Sequence, residues 1–154
     1  MKNSNTTANL LSVLIAINAI IFLILSFIHF YWGFGGTRWY ADVLPTNTTG
    51  SKRMEPGLTA AFIVAFGLLI LAFITIGNQG LLDKHINRKY FRYGALLISV
   101  IFFARAIGDF KFVGFFKTVK ETRFASNDSQ FFSPLCVLIA VISLLIFLYN
   151  KNER

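Results

Sequence analysis

Apolar residues gather into four long blocks separated by polar, glycine- and proline-bearing segments. A helix needs about 20 residues, at about 1.5 Å of rise each, to cross about 30 Å of hydrocarbon. The blocks meet that requirement. The first runs from Leu10 to Ile28, the second from Pro56 to Ile76, the third begins near Tyr90, and the fourth runs from Pro134 to Tyr149. The expected fold is all-α: one transmembrane domain over residues 1–154, a four-helix bundle with helices near 9–31, 56–76, 90–109 and 134–149. Pro56 and Pro134 fit first-turn positions, where a missing N–H is tolerated, with Glu55 and Ser133 before them as caps. Between the third and fourth helices, Phe112, Phe115, Phe116 and Val119 recur at helical spacing while Lys111, Lys117, Lys120 and Glu121 fall elsewhere, which predicts a short interfacial amphipathic helix.

Composition agrees: the 154 residues are 55% hydrophobic and 14% charged, with mean hydropathy +0.62, against about 25% charged in an ordinary soluble domain. The first block exceeds the 7–15 residues, roughly, of a secretory hydrophobic region, and no small-residue cleavage site follows it, so it is expected to be retained. The net charge of +8 sits between and beside the apolar blocks. That points to anionic headgroups rather than nucleic acid.

Lys2, Lys84, Arg88, Lys89, Arg92, Lys151 and Arg154 place both termini and the middle loop on the cytoplasmic side of the cell membrane. The other two loops carry Arg38, Lys52, Arg53, Lys111, Lys117, Lys120 and Arg123, diluted by acidic residues, so the asymmetry is weak. A faint repeat accompanies this topology. Each odd helix ends in a basic residue followed by glycine (His29 with Gly33, Arg105 with Gly108), then a long loop, then a proline-started helix, as two repeated hairpins would give.

Whichever way the chain runs, the first and third helices end at the same face, so His29, Arg105 and Asp109 share one leaflet. Arg105 is the sharpest feature. Only about 18 Å of helix rise separates it from the start of its apolar stretch, so the helix must continue through it, leaving the guanidinium inside the boundary, where charge is expensive. Asp109, four residues on, is the expected partner. An inward-facing Arg105 would bind an anionic headgroup, a carboxylate or a phosphate; an outward one would snorkel. His29, Trp32 and Gly33 share a helical face and could line one pocket wall, or form part of an aromatic belt. Asn127, Asp128 and Ser129 read first as a turn, with Asp128 a weaker site candidate.

The lone Cys136 excludes an intrachain disulfide, and the separated His29 and His85 exclude a multi-histidine metal site. No cofactor or metal is expected. The chain has no P-loop, Gly-x-Ser-x-Gly elbow, two-histidine zinc helix or Rossmann fingerprint, which removes the easily recognised enzyme classes.

His29 through Gly36, Pro56-Gly57, Arg105 through Asp109 and on to Gly114 through Lys117, Phe124 through Asp128, and Ser133 through Cys136 together resemble a family of small bacterial membrane proteins catalogued as a domain of unknown function. The resemblance covers nearly the whole chain and is most specific from Arg105 to Lys117. It implies a four-helix bacterial membrane protein and supplies no activity.

Two functions are consistent with these residues. The favoured one is a non-enzymatic membrane component, a transport accessory or partner-binding protein in which the charges fix helix packing. The alternative is a lipid- or small-molecule-binding protein, or an intramembrane enzyme, with a polar pocket at one leaflet lined by His29, Trp32, Arg105, Asp109 and Asp128. In an enzyme, His29 or Asp109 would move the proton and Arg105 would hold the developing oxyanion. The expected partners are membrane lipids and an anionic lipid or small molecule, and a chain this short also admits a homo-oligomer or a membrane partner. A polar cavity reaching Arg105 would favour the alternative; a closed bundle with Arg105 turned to the headgroups would favour the first.

Overall fold

The computed structural model describes residues 2–44 and 57–150; Glu55, Pro56, Lys52, Arg53, Lys151 and Arg154 lie outside them. The described chain is all-helical: α1 (Lys2–Gly33), a 3-10 turn (Tyr40–Asp42), α2 (Leu58–Gly77), α3 (Arg88–Ile107), α4 (Arg123–Asn127), a π-helical turn (Asp128–Phe132) and α5 (Ser133–Tyr149). The last three run on without a break. Four helical spans, Thr6–Gly33, Leu58–Gly77, Arg88–Ile107 and Arg123–Tyr149, are long and apolar enough to cross a membrane.

The distribution of side chains is that of a bundle whose solvent is lipid. Large apolar residues such as Ile20, Phe27, Ile63, Ile70, Leu97 and Phe103 point outward, while Ala65, Ala72, Ala95, Ala140, Ser26, Ser99 and Ser143 are buried. Hydrocarbon offers no hydrophobic drive between helices, so close approach of small residues and interhelical hydrogen bonds must hold them together.

α1 packs chiefly on α2, and α3 chiefly on α5, giving two hairpins. Each contains a buried serine hydroxyl that donates to a backbone carbonyl of the partner helix: Ser26 to Ala65 at 2.9 Å and Ser99 to Ala140 at 2.8 Å. The hairpins meet around Phe22, Leu68, Ala72, Ile98 and Ile139. Near mid-span the Asn18 amide donates to Ser143 Oγ at 2.9 Å, tying α1 to α5. At the end where α2 stops, Asn78 donates to the Ile74 and Phe91 carbonyls and accepts from Asn150 Nδ2 at 2.7 Å, fastening three helix ends at one residue.

Four local expectations are corrected. The third helix ends at Ile107 instead of reaching 109, because Gly108 takes φ 91° and turns the chain away. The amphipathic helix between the third and fourth spans does not form: Gly114 at φ 87° breaks the stretch, and residues 108–122 are irregular. Ser133 does not cap a helix, nor do Asn127 to Ser129 make a turn, since the helix runs through from Arg123. Pro134 has no N–H for the carbonyl of Gln130 and its ring crowds that turn. The preceding turn widens, so that the Ser133 N–H reaches back five residues to the Asp128 carbonyl.

Replacing Asn78 by leucine leaves the Asn150 amide without its acceptor and removes both carbonyl contacts. A destabilisation of about 1–3 kcal/mol is expected, read as a lowered thermal midpoint of the detergent-solubilised protein.

Candidate ligand-binding cleft

At the shared end of α1 and α3, the two hairpins stand apart around a half-open cleft of about 750 Å³. α1 supplies Leu25, Ile28, His29 and Trp32; the 3-10 turn region supplies Trp39, Tyr40, Asp42, Val43 and Leu44; α2 supplies Val64 and Leu68; α3 supplies Phe102 and Arg105; and the fourth span supplies Phe131, Leu135 and Ile139. Its shaft is apolar. Polar groups collect at one end, from His29, Arg105, Asp42 and Asn127.

The α1 wall is firmly held. Trp32 is buried, and its indole N–H donates to the Arg38 carbonyl at 2.8 Å. The His29 ring meets it edge-on, centroids 4.8 Å apart. His29 Nδ1 lies 2.8 Å from the Leu25 carbonyl; a carbonyl can only accept, so Nδ1 carries a proton and Nε2 is the ring nitrogen left for other partners. Trp39, at the entry to the 3-10 turn, adopts φ 61°. Left-handed backbone is unfavourable for so bulky a residue, the kind of local strain that recurs where function fixes a side chain.

Arg105 takes its partner from the other side of the loop. Asp109 is displaced from the helix by Gly108, and its carboxylate instead accepts from the backbone N–H groups of Lys111, Phe112 and Val113 at 2.7–2.9 Å. Burial opposes ionisation of Asp109, but these three donors outweigh it and hold the carboxyl below its usual range. Asp109 therefore closes a turn and does not line the cleft. The carboxylate that meets Arg105 is Asp128, fully buried, with Oδ1 3.0 Å from Nη2.

Asp128 is saturated. Its Oδ2 accepts from the Gly114 N–H at 2.7 Å, from Ser133 Oγ at 3.2 Å and from Lys117 Nζ at 2.9 Å. Lys117 is itself buried and also donates to the Gly114 carbonyl and to Ser129 Oγ. Its position between Phe116 and Val119 in a run at helical spacing disguises it as a surface lysine; Gly108 and Gly114, both ahead of it, were the sign that the spacing is not helical. Arg105 Nη1 is buried and has no partner among the described residues.

Of the expected site residues, His29, Trp32 and Arg105 line the cleft, Asp128 holds Arg105 from behind, and Asp109 stands apart. Residues 22–143 match a family described as "Protein of unknown function (DUF3995)". The chain belongs to the DUF3995 family. The matched stretch takes in every cleft residue named above together with Lys117 and Asp128. No curated protein and no solved structure matches the chain.

Converting Asp128 to alanine leaves a buried cation, Lys117, and a half-buried one, Arg105, without their shared counter-charge. A loss of about 3–5 kcal/mol is expected, measured by thermal unfolding, whereas Asp109→Asn should leave the Arg105 environment unchanged. The Asp109 turn has its own pH signature. A carboxyl whose folded pKa is depressed contributes stability that is present above the unfolded value of about 3.9 and lost as pH falls through the lower folded value. Hydrogen exchange at the Lys111, Phe112 and Val113 amides should therefore stay slow through the ordinary aspartate range and quicken only below it.

Proposed function

We propose that this DUF3995 member binds an amphipathic, lipid-like molecule in the cleft between its two hairpins. The observation that carries the reading is the cleft itself: a mostly apolar space between the membrane-spanning helices, lined also by His29 and by Arg105, whose guanidinium is held by Asp128 at one nitrogen only. Its volume falls within the roughly 300–1,000 Å³ of ordinary ligand pockets, and an apolar lining with a few convergent polar groups is their usual make-up. A bundle whose charges served packing alone would have no need of an open space beside Arg105. The cleft thus favours ligand binding over the partner-binding reading.

In this proposal the protein resides in the cell membrane with both termini cytoplasmic, supported by Lys84, Arg88, Lys89 and Arg92 in and beside the loop joining α2 to α3. The cleft then opens at the far leaflet. Catalysis is not required by the geometry: Asp109, one of the two residues able to move a proton, is turned away, and binding, presentation or passage of the molecule accounts for the remaining features.

The test is native mass spectrometry of the protein purified in mild detergent or nanodiscs, comparing wild type with Val64→Phe. Val64 lines the cleft and is exposed there, so the larger ring fills the space without disturbing the core. A co-purifying amphiphile in the wild type, lost in a variant of unchanged thermal midpoint, is the expected result. An identical complement of bound species in both proteins would sink the reading.

A further inference from the structure

Lys117 does not line the cleft, yet it is buried at the back of the residues that do, and its placement changes what the cleft can hold. We infer that Lys117 makes the cleft selective for an oxyanion headgroup, a carboxylate or a phosphate, an inference that rests on the ligand-binding reading above.

The argument starts from charge. Lys117 Nζ makes three hydrogen bonds, to the Gly114 carbonyl, the Asp128 carboxylate and Ser129 Oγ, which matches the three donors of an ammonium group. Arg105 and Lys117 therefore share the single carboxylate of Asp128. Two cations divide one anion, so Asp128 only partly meets the charge of Arg105. Asp42, the other carboxylate lining the cleft, forms no ion pair with Arg105 among the described residues.

Geometry leads to the same conclusion. An arginine facing a carboxylate alone can engage both oxygens with two parallel N–H donors. Here Oδ2 is taken by Lys117, the Gly114 N–H and Ser133, so Arg105 reaches Oδ1 through Nη2 only. Nη1 is covered and has no partner among the described residues, while the Arg105 side chain, which lines the cleft, stays 35% exposed. Lys117 thus divides the Asp128 carboxylate and leaves the Arg105 guanidinium singly held, with hydrogen-bonding capacity to spare for a ligand. It is a positioning residue; Arg105 is the contact.

The bilayer sharpens the consequence. Lipid tails are as apolar as the cleft wall, so burying a chain there gains little over leaving it in the membrane. Discrimination among amphiphiles falls to the headgroup.

Both tryptophans of the chain, Trp32 and Trp39, line the cleft, so intrinsic fluorescence reports its occupancy. In phosphatidylcholine nanodiscs, dibromostearate is titrated as a quencher and then displaced with oleate, oleoyl lysophosphatidate or oleyl alcohol, which share a chain and differ in head. Saturable quenching is expected, with the better anion displacing at a concentration about ten-fold lower than the alcohol; which anion is better tells a carboxylate from a phosphate head. Lys117→Met should bring anion and alcohol to a common midpoint, and Lys117→Arg should restore the gap. Arg105→Gln, which leaves the Lys117–Asp128 pair in place, should abolish the gap as well and serves if Lys117→Met does not fold. Absence of saturable quenching in the wild type overturns the ligand-binding reading together with this one. Equal displacement by anions and alcohol in the wild type leaves the cleft as a binding site and overturns its selectivity for an oxyanion. A gap undiminished in Lys117→Met overturns the role of Lys117.

Discussion

One carboxylate holds the cleft end of this bundle together. Asp128 is fully buried and binds a guanidinium from α3, an ammonium from the loop after it, a backbone N–H at Gly114 and a hydroxyl from its own helix. Each of these groups would be expensive to leave alone at membrane depth, and each reaches the same two oxygens from a different direction. The end of α3, the course of residues 108–122 and the start of the fourth span are consequences of satisfying that single anion. The π-helical turn sits where it is needed: widening the helix at Asp128 accommodates Pro134 and lets Ser133 bond both the carbonyl and the carboxylate of the same residue.

Against this fixed end, the first hairpin is attached by lighter means. Asn18 meets Ser143, Asn127 Nδ2 reaches the Asp42 carbonyl at 3.3 Å, and a small apolar cluster fills the middle. The space left where the hairpins diverge is the cleft. Its two walls differ in character, one largely aromatic from α1 and the 3-10 turn, with the Asp42 carboxylate, the other carrying Arg105 from α3, so a molecule between them meets a stacking surface on one side and a donor on the other.

Much of this was legible in the residues. Four spans, two hairpins and the convergence of His29, Trp32 and Arg105 follow from block length and helix direction alone, because parallel helices must end at the same face. The partner of Arg105 was not legible, for a definite reason. The i, i+4 rule that points to Asp109 holds only while the helix continues, and Gly108 ends it one residue earlier. Lys117 was hidden by the same mechanism: four apolar residues at helical spacing describe an amphipathic helix only if the backbone between them is helical, and Gly114 at positive φ makes it otherwise. Both glycines sit where a Cβ would strike backbone, Gly108 against Val113 and Gly114 against Ile107, so the loop has no alternative to them. A glycine inside an apparent amphipathic stretch deserved more weight than the periodicity around it.

The charge cluster belongs wholly to the second hairpin: Arg105 ends α3, Lys117 lies in the connecting loop, and Asp128 opens the fourth span. An arginine or lysine entering the hydrocarbon unpaired costs about 2.5–3.5 kcal/mol on translocon scales. Because α3, the loop and α5 are contiguous, that cost is offset as the hairpin itself forms, without contribution from α1 or α2. During biosynthesis the two halves are therefore equivalent in one respect: each can enter the bilayer as a self-contained pair of helices, and the later docking of one on the other has only packing and a few neutral hydrogen bonds left to settle.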